Sequence, residues 1–196
     1  MRIILASSSP RRKELLKKLF QDFEILPAKG EESATSKNPE EIVLELSRQK
    51  AEEIQSLIPD STDYLIIGAD TVVSLEGNVL GKPADEKDAE KTLAMLSGKV
   101  HQVYTGVTLL FSQNGIHKSI SFAECTHVTF YPITAAEISA YVRSGEPMDK
   151  AGSYGIQGNG GRFIERIEGS YENVVGLPSA KIYQVLKKIG DFALRF

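Results

Sequence analysis

The 196-residue sequence has one cysteine, Cys125. That excludes an intrachain disulfide and any multi-cysteine zinc site, and leaves Cys125 to be expected as a small buried hydrophobe. An excess of one charge sign is missing too: 23 basic against 26 acidic residues give a formal net charge of −3. No field covers the molecule to attract nucleic acid, so any anion site has to be local. No apolar run approaches the ~20 residues that span a bilayer. The stretch Met1-Arg2-Ile3-Ile4-Leu5-Ala6 is too short for the apolar core of a signal peptide. A cytoplasmic protein with neither membrane nor nucleic-acid partners is expected. The motifs G-x-x-x-x-G-K-[ST] and G-x-S-x-G are absent, which argues against a P-loop and against a serine hydrolase. His101, His117 and His127 all fall in strand-like contexts, where a structural role is the expectation.

What is present suits an ordinary globular chain, with 41% apolar and 25% charged residues, long enough to bury a full core. Arg2 to Ala6 reads as a short buried strand. Ser8 or Ser9 then caps a helix with Pro10 near its first position, running to about Phe20 with Leu15, Leu16 and Leu19 inward. Phe23 to Pro27 reads as a second short strand. Asn38-Pro39-Glu40-Glu41 opens a helix whose apolar stripe is Ile42, Leu46, Ala51, Ile54 and Leu57. The run Tyr64 to Asp70 is the strongest buried-strand signal and continues through Leu75. Asp85 caps a helix that stops at Ser97-Gly98. Val100 to about Ile133 forms a long hairpin turning at Asn114-Gly115. Thr134-Ala135-Ala136-Glu137 is a capping box for a helix closing near Gly145. Glu146 to Gly176 is irregular, half of the 16 glycines fall between Gly145 and Gly176, and Pro178 starts a terminal helix. This order predicts an α/β fold, an elongated mixed β-sheet with flanking helices.

Three segments carry candidate chemistry. Arg11 and Arg12 occupy a helix first turn, where the macrodipole disfavours cations by ~0.3–1 kcal/mol each. With the free N–H groups and hydroxyls of Ser7, Ser8 and Ser9, they form either a phosphate cradle or a plain helix cap with solvated arginines. Asp70 ends an apolar strand, where ligands of open α/β sheets gather, and is a candidate general base or ligand for a hard cation. Glu31 and Glu32 could bring a second carboxylate, though such pairs in polar loops are usually solvated. Lys82 sits in the stiff turn Gly81-Lys82-Pro83, and Lys50 interrupts a helical apolar face. Around Gln157, the glycines let backbone approach a ligand, and the amide offers one donor and one acceptor to a base edge.

Several stretches occur together in one order: Leu5-Ala6-Ser7-Ser8-Ser9-Pro10-Arg11-Arg12, Gly68-Ala69-Asp70-Thr71-Val72-Val73 and Leu80-Gly81-Lys82-Pro83. They are followed by Leu96 to Val107, Glu146 to Gly158 and Gly169 to Pro178. In this the sequence resembles the Maf family of nucleoside triphosphate pyrophosphatases, within the wider inosine-triphosphatase-like fold. The resemblance implies one domain over residues 1–196, with two lobes around a central cleft. It implies hydrolysis of a nucleoside triphosphate between its α and β phosphates, with Asp70 as the proton acceptor. A divalent cation, Mg²⁺ or Mn²⁺, would sit on Glu32 and Asp70, with Glu31 as the alternative carboxylate. Phosphate contacts would fall to Ser7, Arg11, Arg12, Lys50 and Lys82, and base selection to Arg11, Thr71 and Gln157. That pattern matches the dTTP/UTP branch rather than the 7-methylguanosine branch. House-cleaning of the nucleotide pool and a homodimer through the hairpin are further expectations. The rival is a non-catalytic nucleotide sensor acting in septum formation.

Overall fold

The computed structural model describes residues 1–59 and 61–189, so both the 1–196 boundary and residue 60 fall outside the described residues. A mixed sheet organises the chain, with strands in the order β2-β1-β3-β5-β6-β7 and β4 attached to β3. The strands are β1 (Arg2–Leu5), β2 (Glu24–Ile25), β3 (Tyr64–Leu75), β4 (Asn78–Leu80), β5 (Val100–Gln113), β6 (Ile116–Phe130) and β7 (Ile164–Glu168). The helices are α1 (Pro10–Leu16), α2 (Pro39–Gln55), α3 (Glu86–Leu96), α4 (Ala135–Val142), α5 (Tyr171–Val175) and α6 (Ser179–Ile189). Strand β1 runs parallel to β2 and β3, and the remaining pairs are antiparallel. No helix of the described residues is long and apolar enough to cross a membrane.

Strand β3 is the spine. Its residues alternate between two covered faces, which is why the run is apolar without interruption. Leu65, Ile67 and Ala69 pack with Leu16, Phe20, Ile182 and Leu186 of the α1 and α6 side. Tyr64 and Ile66 turn the other way, onto Ala51 and Ile54 of α2. Further along, Val73 and Leu75 join a separate cluster with Leu93, Leu96, Phe130, Ile138 and Tyr141. Each fully buried Leu or Ile contributes roughly 1.5–3 kcal/mol of transfer free energy.

Helix starts follow their capping residues. The side chains of Ser9, Asn38, Asp85 and Thr134 each accept a hydrogen bond from a first-turn amide, and the Thr134–Glu137 box is formed in both directions. The hairpin turns where expected, with both Asn114 and Gly115 at positive φ, the geometry of a type I′ turn.

Some expectations are corrected. Helix α1 stops at Leu16 instead of running to about Phe20, because Lys18 N–H and Leu19 N–H bond three residues back to Leu15 and Leu16 and tighten the chain into a turn. Strand β2 keeps only Glu24 and Ile25 of the five residues expected. Leu57 is exposed beyond the end of α2, whose inward face uses Val43 and Ser47 in its place. The stretch Glu146 to Gly176 is far from irregular throughout. It contains three short 3-10 helices (Glu146–Asp149, Ala151–Ser153, Asn159–Phe163), then β7 and α5. Cys125 is exposed. It faces Tyr104 across the hairpin, while the next residue, Thr126, takes the buried face.

Candidate active site

The register of β3 makes the cavity. Strand β1 ends with Leu5 opposite Ile67, and β4 does not begin to pair until Leu80 meets Val73. Between those limits one edge of β3, from Gly68 to Val72, has no neighbouring strand among the described residues. An 880 Å³ cavity opens there, at the carboxyl end of β1 and the N-terminus of α1, a size that suits a nucleotide-sized ligand.

All nine residues expected at the site line this one cavity: Ser7, Arg11, Arg12, Glu32, Lys50, Asp70, Thr71, Lys82 and Gln157. Glu31 lines only a small recess beside it. Two cavity-lining charges, Asp149 and Lys150, were not singled out from sequence. Asp149 lies 3.5 Å from Arg11 and 2.6 Å from Lys150. Their signal was the charged pair inside the glycine-rich stretch. With them the wall carries five cations and three carboxylates, so the surroundings favour an anion although the whole chain is net negative.

Lys50 is the hub. Its ammonium is 2.6 Å from Asp70 Oδ1 and 2.9 Å from Glu32 Oε1, with the Lys50 and Asp70 side chains only 14% and 11% exposed. This contact depends on a close approach of α2 to the sheet. A Cβ on Gly68 would lie 2.2 Å from the Ser47 carbonyl oxygen, and one on Gly106 would lie 2.2 Å from that of Val43. Gly106 is the cross-strand partner of Asp70. The two glycines thus let the helix backbone rest on the sheet, and Lys50 reaches Asp70 as a result.

Glu32 arrives on a polar loop strapped along α2. Glu53 accepts from the amides of Lys29 and Gly30, at 2.7 and 3.0 Å. Gln49 accepts from Ser33 N–H at 3.2 Å and donates to the carbonyl of the same residue. Glu45 accepts from Thr35 N–H at 2.6 Å, and Glu41 accepts from the Ser36 hydroxyl. Residues 41, 45, 49 and 53 lie on one face of the helix. The amides of Lys29 and Gly30 hold the Glu53 carboxyl below its ordinary range, and those of Thr35 and Ser36, with the Thr35 hydroxyl, do the same for Glu45.

Arg12 is held inside the wall. Its guanidinium donates to the Gly176 carbonyl (2.9 Å), the Thr71 hydroxyl (3.0 Å) and the Ser7 hydroxyl (3.2 Å). Burial lowers its pKa, opposed by the nearby Asp70 and Glu32 carboxylates. Thr71 Oγ1 also lies 3.0 Å from Thr105 Oγ1, so this hydroxyl is engaged within the wall. Arg11, Lys82 and Gln157 sit at the more open margin, where Lys82 and Gln157 are exposed.

The carboxylates of Asp70 and Glu32 converge on one cationic atom, which fits a divalent cation drawing two ligands from protein. No group of three or more metal-ligating side chains occurs among the described residues. The remaining ligands would therefore be phosphate oxygens and water, as Mg²⁺ commonly takes them.

The model of the Maf-like protein family matches residues 2–189. The chain belongs to this family. A dTTP/UTP pyrophosphatase of Carboxydothermus hydrogenoformans is 54% identical over 190 residues, covering 97% of this chain and all of that one. A dTTP/UTP pyrophosphatase of Agathobacter rectalis is 52% identical, covering 96% of this Maf-like chain and 97% of the relative. One of Bacillus thuringiensis is 47% identical over 95% of each chain. Among solved structures, a nucleoside-triphosphatase (dITP/XTP pyrophosphatase) of Mycobacterium abscessus is a distant likeness. Its TM-score is 0.37 and its identity 14%, over 68% of this chain and 76% of that one.

Proposed function

We propose that this Maf-like chain is a metal-dependent nucleoside triphosphate pyrophosphatase that hydrolyses dTTP and UTP to the monophosphate and pyrophosphate. The observation carrying this reading is the Lys50 ammonium bound to both Asp70 and Glu32, at a cationic cavity that begins on Ser7 and Arg12. The names of the full-length relatives support the choice of substrates. The sensor reading finds no support among them. Removal of pyrimidine triphosphates from a cytoplasmic nucleotide pool follows as the role. The chain acts as one domain, with lobes on either side of the cleft, and needs no nucleic acid. A homodimer through the β5–β6 hairpin is tested by light scattering.

The mechanism follows from where the charges lie. Arg11, Lys82 and the Ser7–Arg12 turn bind the triphosphate, with Ser7 and Arg12 shaping the cradle. Asp70 orients a water for in-line attack on the α-phosphorus and takes its proton. The new P–O bond forms as the bond from the α-phosphorus to the bridging oxygen breaks, and pyrophosphate departs with that electron pair. Lys50 keeps the Asp70 carboxylate in place by its bond to Oδ1. Glu32 and Asp70 would hold a divalent cation, which would supply neutralisation of the charge on the phosphate oxygens. Gln157, with Arg11 and Thr71 of the same cavity lining, selects the imide edge shared by uracil and thymine.

A hydrolysis panel over standard and modified triphosphates, with and without Mg²⁺, tests the reading. Mg²⁺-dependent pyrophosphate release from dTTP and UTP is expected. Preference for 7-methyl-GTP, or nucleotide binding with no turnover, would overturn it.

A further inference from the structure

A half-buried carboxylate outside the reacting group, Glu146, organises the segment that carries Gln157. Glu146 opens the first of the short 3-10 helices, directly after Gly145. Its Oε2 accepts from Asn159 N–H at 2.9 Å, and its Oε1 from the Tyr141 hydroxyl at 2.9 Å and Gly160 N–H at 3.3 Å. The Tyr141 oxygen in turn accepts from Gly155 N–H at 3.2 Å. The turn that presents Gln157 is therefore tied on both sides to one Tyr–Glu pair. A Cβ on Gly158 would lie 2.2 Å from Glu146 Oε1, so the backbone next to Gln157 wraps closely around the carboxylate. Burial pushes the Glu146 carboxyl up, but the two amides, the Tyr141 hydroxyl and Lys150 more than offset this and leave it below its ordinary range. An ionised carboxylate is acceptor-only, which matches three donors converging on it.

We propose that Glu146, with Tyr141, is a positioning residue for base selection, fixing the Gly155–Gly160 backbone so that Gln157 meets the pyrimidine edge at one distance. Glu146 does not itself touch the nucleotide. The proposal rests on the reading of Gln157 as the base-selecting side chain. The structure gives the pair little other work at the reacting group. Asp70, Lys50 and Glu32 share no hydrogen bond with it, and the Tyr141 ring packs in the core against Phe163 by a contact that does not use the hydroxyl.

The test compares Glu146→Gln, Tyr141→Phe and Gln157→Ala by steady-state kinetics on UTP and CTP, with melting temperatures alongside. Glu146→Gln keeps the shape but turns an NH2 donor toward groups that are themselves donors, and is expected to raise KM for UTP about tenfold with a much smaller change in kcat. The UTP-over-CTP ratio of kcat/KM should fall in parallel. Tyr141→Phe should move both quantities the same way by a smaller factor, and it keeps the test available should Glu146→Gln fold poorly. Adding Glu146→Gln to Gln157→Ala should cause no further loss of selectivity. If Gln157→Ala lowers the ratio while Glu146→Gln and Tyr141→Phe leave it at the wild-type value, the positioning role is refuted. If Gln157→Ala itself leaves the ratio unchanged, the base-reading assignment falls first and takes the positioning role with it.

Discussion

A single methyl group on Gly106 probes how the site is held together. In Gly106→Ala the new Cβ would stand 2.2 Å from the Val43 carbonyl oxygen, 2.4 Å from its carbon and 2.9 Å from the Leu44 nitrogen. All three are backbone atoms of α2, so no side chain can swing aside. Relief to an ordinary contact requires the helix and sheet to part by about 1 Å, a form of overpacking that costs typically ~1–3 kcal/mol. Gly106 is not among the positive-φ residues, so alanine brings no backbone strain, and the effect is steric. The same movement carries Lys50 away from Asp70, where their bond is now 2.6 Å. A displacement of about 1 Å at a reacting centre costs on the order of 10²-fold in rate. Urea unfolding and kcat on UTP, measured on the same preparation, should therefore fall together. An alanine variant with the wild-type urea midpoint and wild-type kcat would refute both the seating of α2 and its role in aiming Lys50.

Other outcomes follow from groups farther from the chemistry. His101 is fully buried, bonded through Nε2 to the Tyr154 hydroxyl at 2.8 Å, and has no partner for Nδ1 among the described residues. Burial pushes its pKa down to about 4 from 6.5, so below pH 6.5 the unfolded chain binds a proton that the folded chain refuses. The stability from this residue is whole above pH 6.5 and is lost as pH falls toward 4, by about 3 kcal/mol in all. Denaturant titrations at pH 7 and 4.5 should show the slope, and His101→Phe should flatten it. Glu53→Ala releases the amides of Lys29 and Gly30 and should raise the Mg²⁺ concentration for half-maximal activity several-fold. The UTP concentration dependence at saturating Mg²⁺ should be nearly unchanged; an unaltered Mg²⁺ requirement would count against the strap that carries Glu32.

Local chemistry was legible in the sequence where a short pattern carries its own cause. Ser9, Asn38, Asp85 and Thr134 cap helices because their side chains reach amides two or three residues away. Asn114-Gly115 turns because both residues tolerate positive φ. Strand β7 was missed because its pairing with β6 is broken by a bulge at Thr129 and Phe130, and its exposed glutamates hide the alternation. Glu45, Gln49 and Glu53 carry no signal of their own in the sequence; only the folded loop supplies the amides they bind. The meeting of Lys50 with Asp70 is likewise a long-range result, decided by two glycines that sequence alone gives no reason to single out. The nine residues expected at the site do line one cavity, although Arg12 and Thr71 spend their hydrogen bonds largely on the wall itself.

The central claim is that Asp70 does the chemistry in a cavity built to hold the triphosphate. Asp70→Asn keeps the size of the side chain and removes the proton acceptor. Pyrophosphate release from UTP and dTTP, measured beside nucleotide affinity on the same variant, tests this most directly. Turnover should fall by about 10³-fold or more while affinity for the nucleotide changes little. Near wild-type hydrolysis by Asp70→Asn would contradict the account.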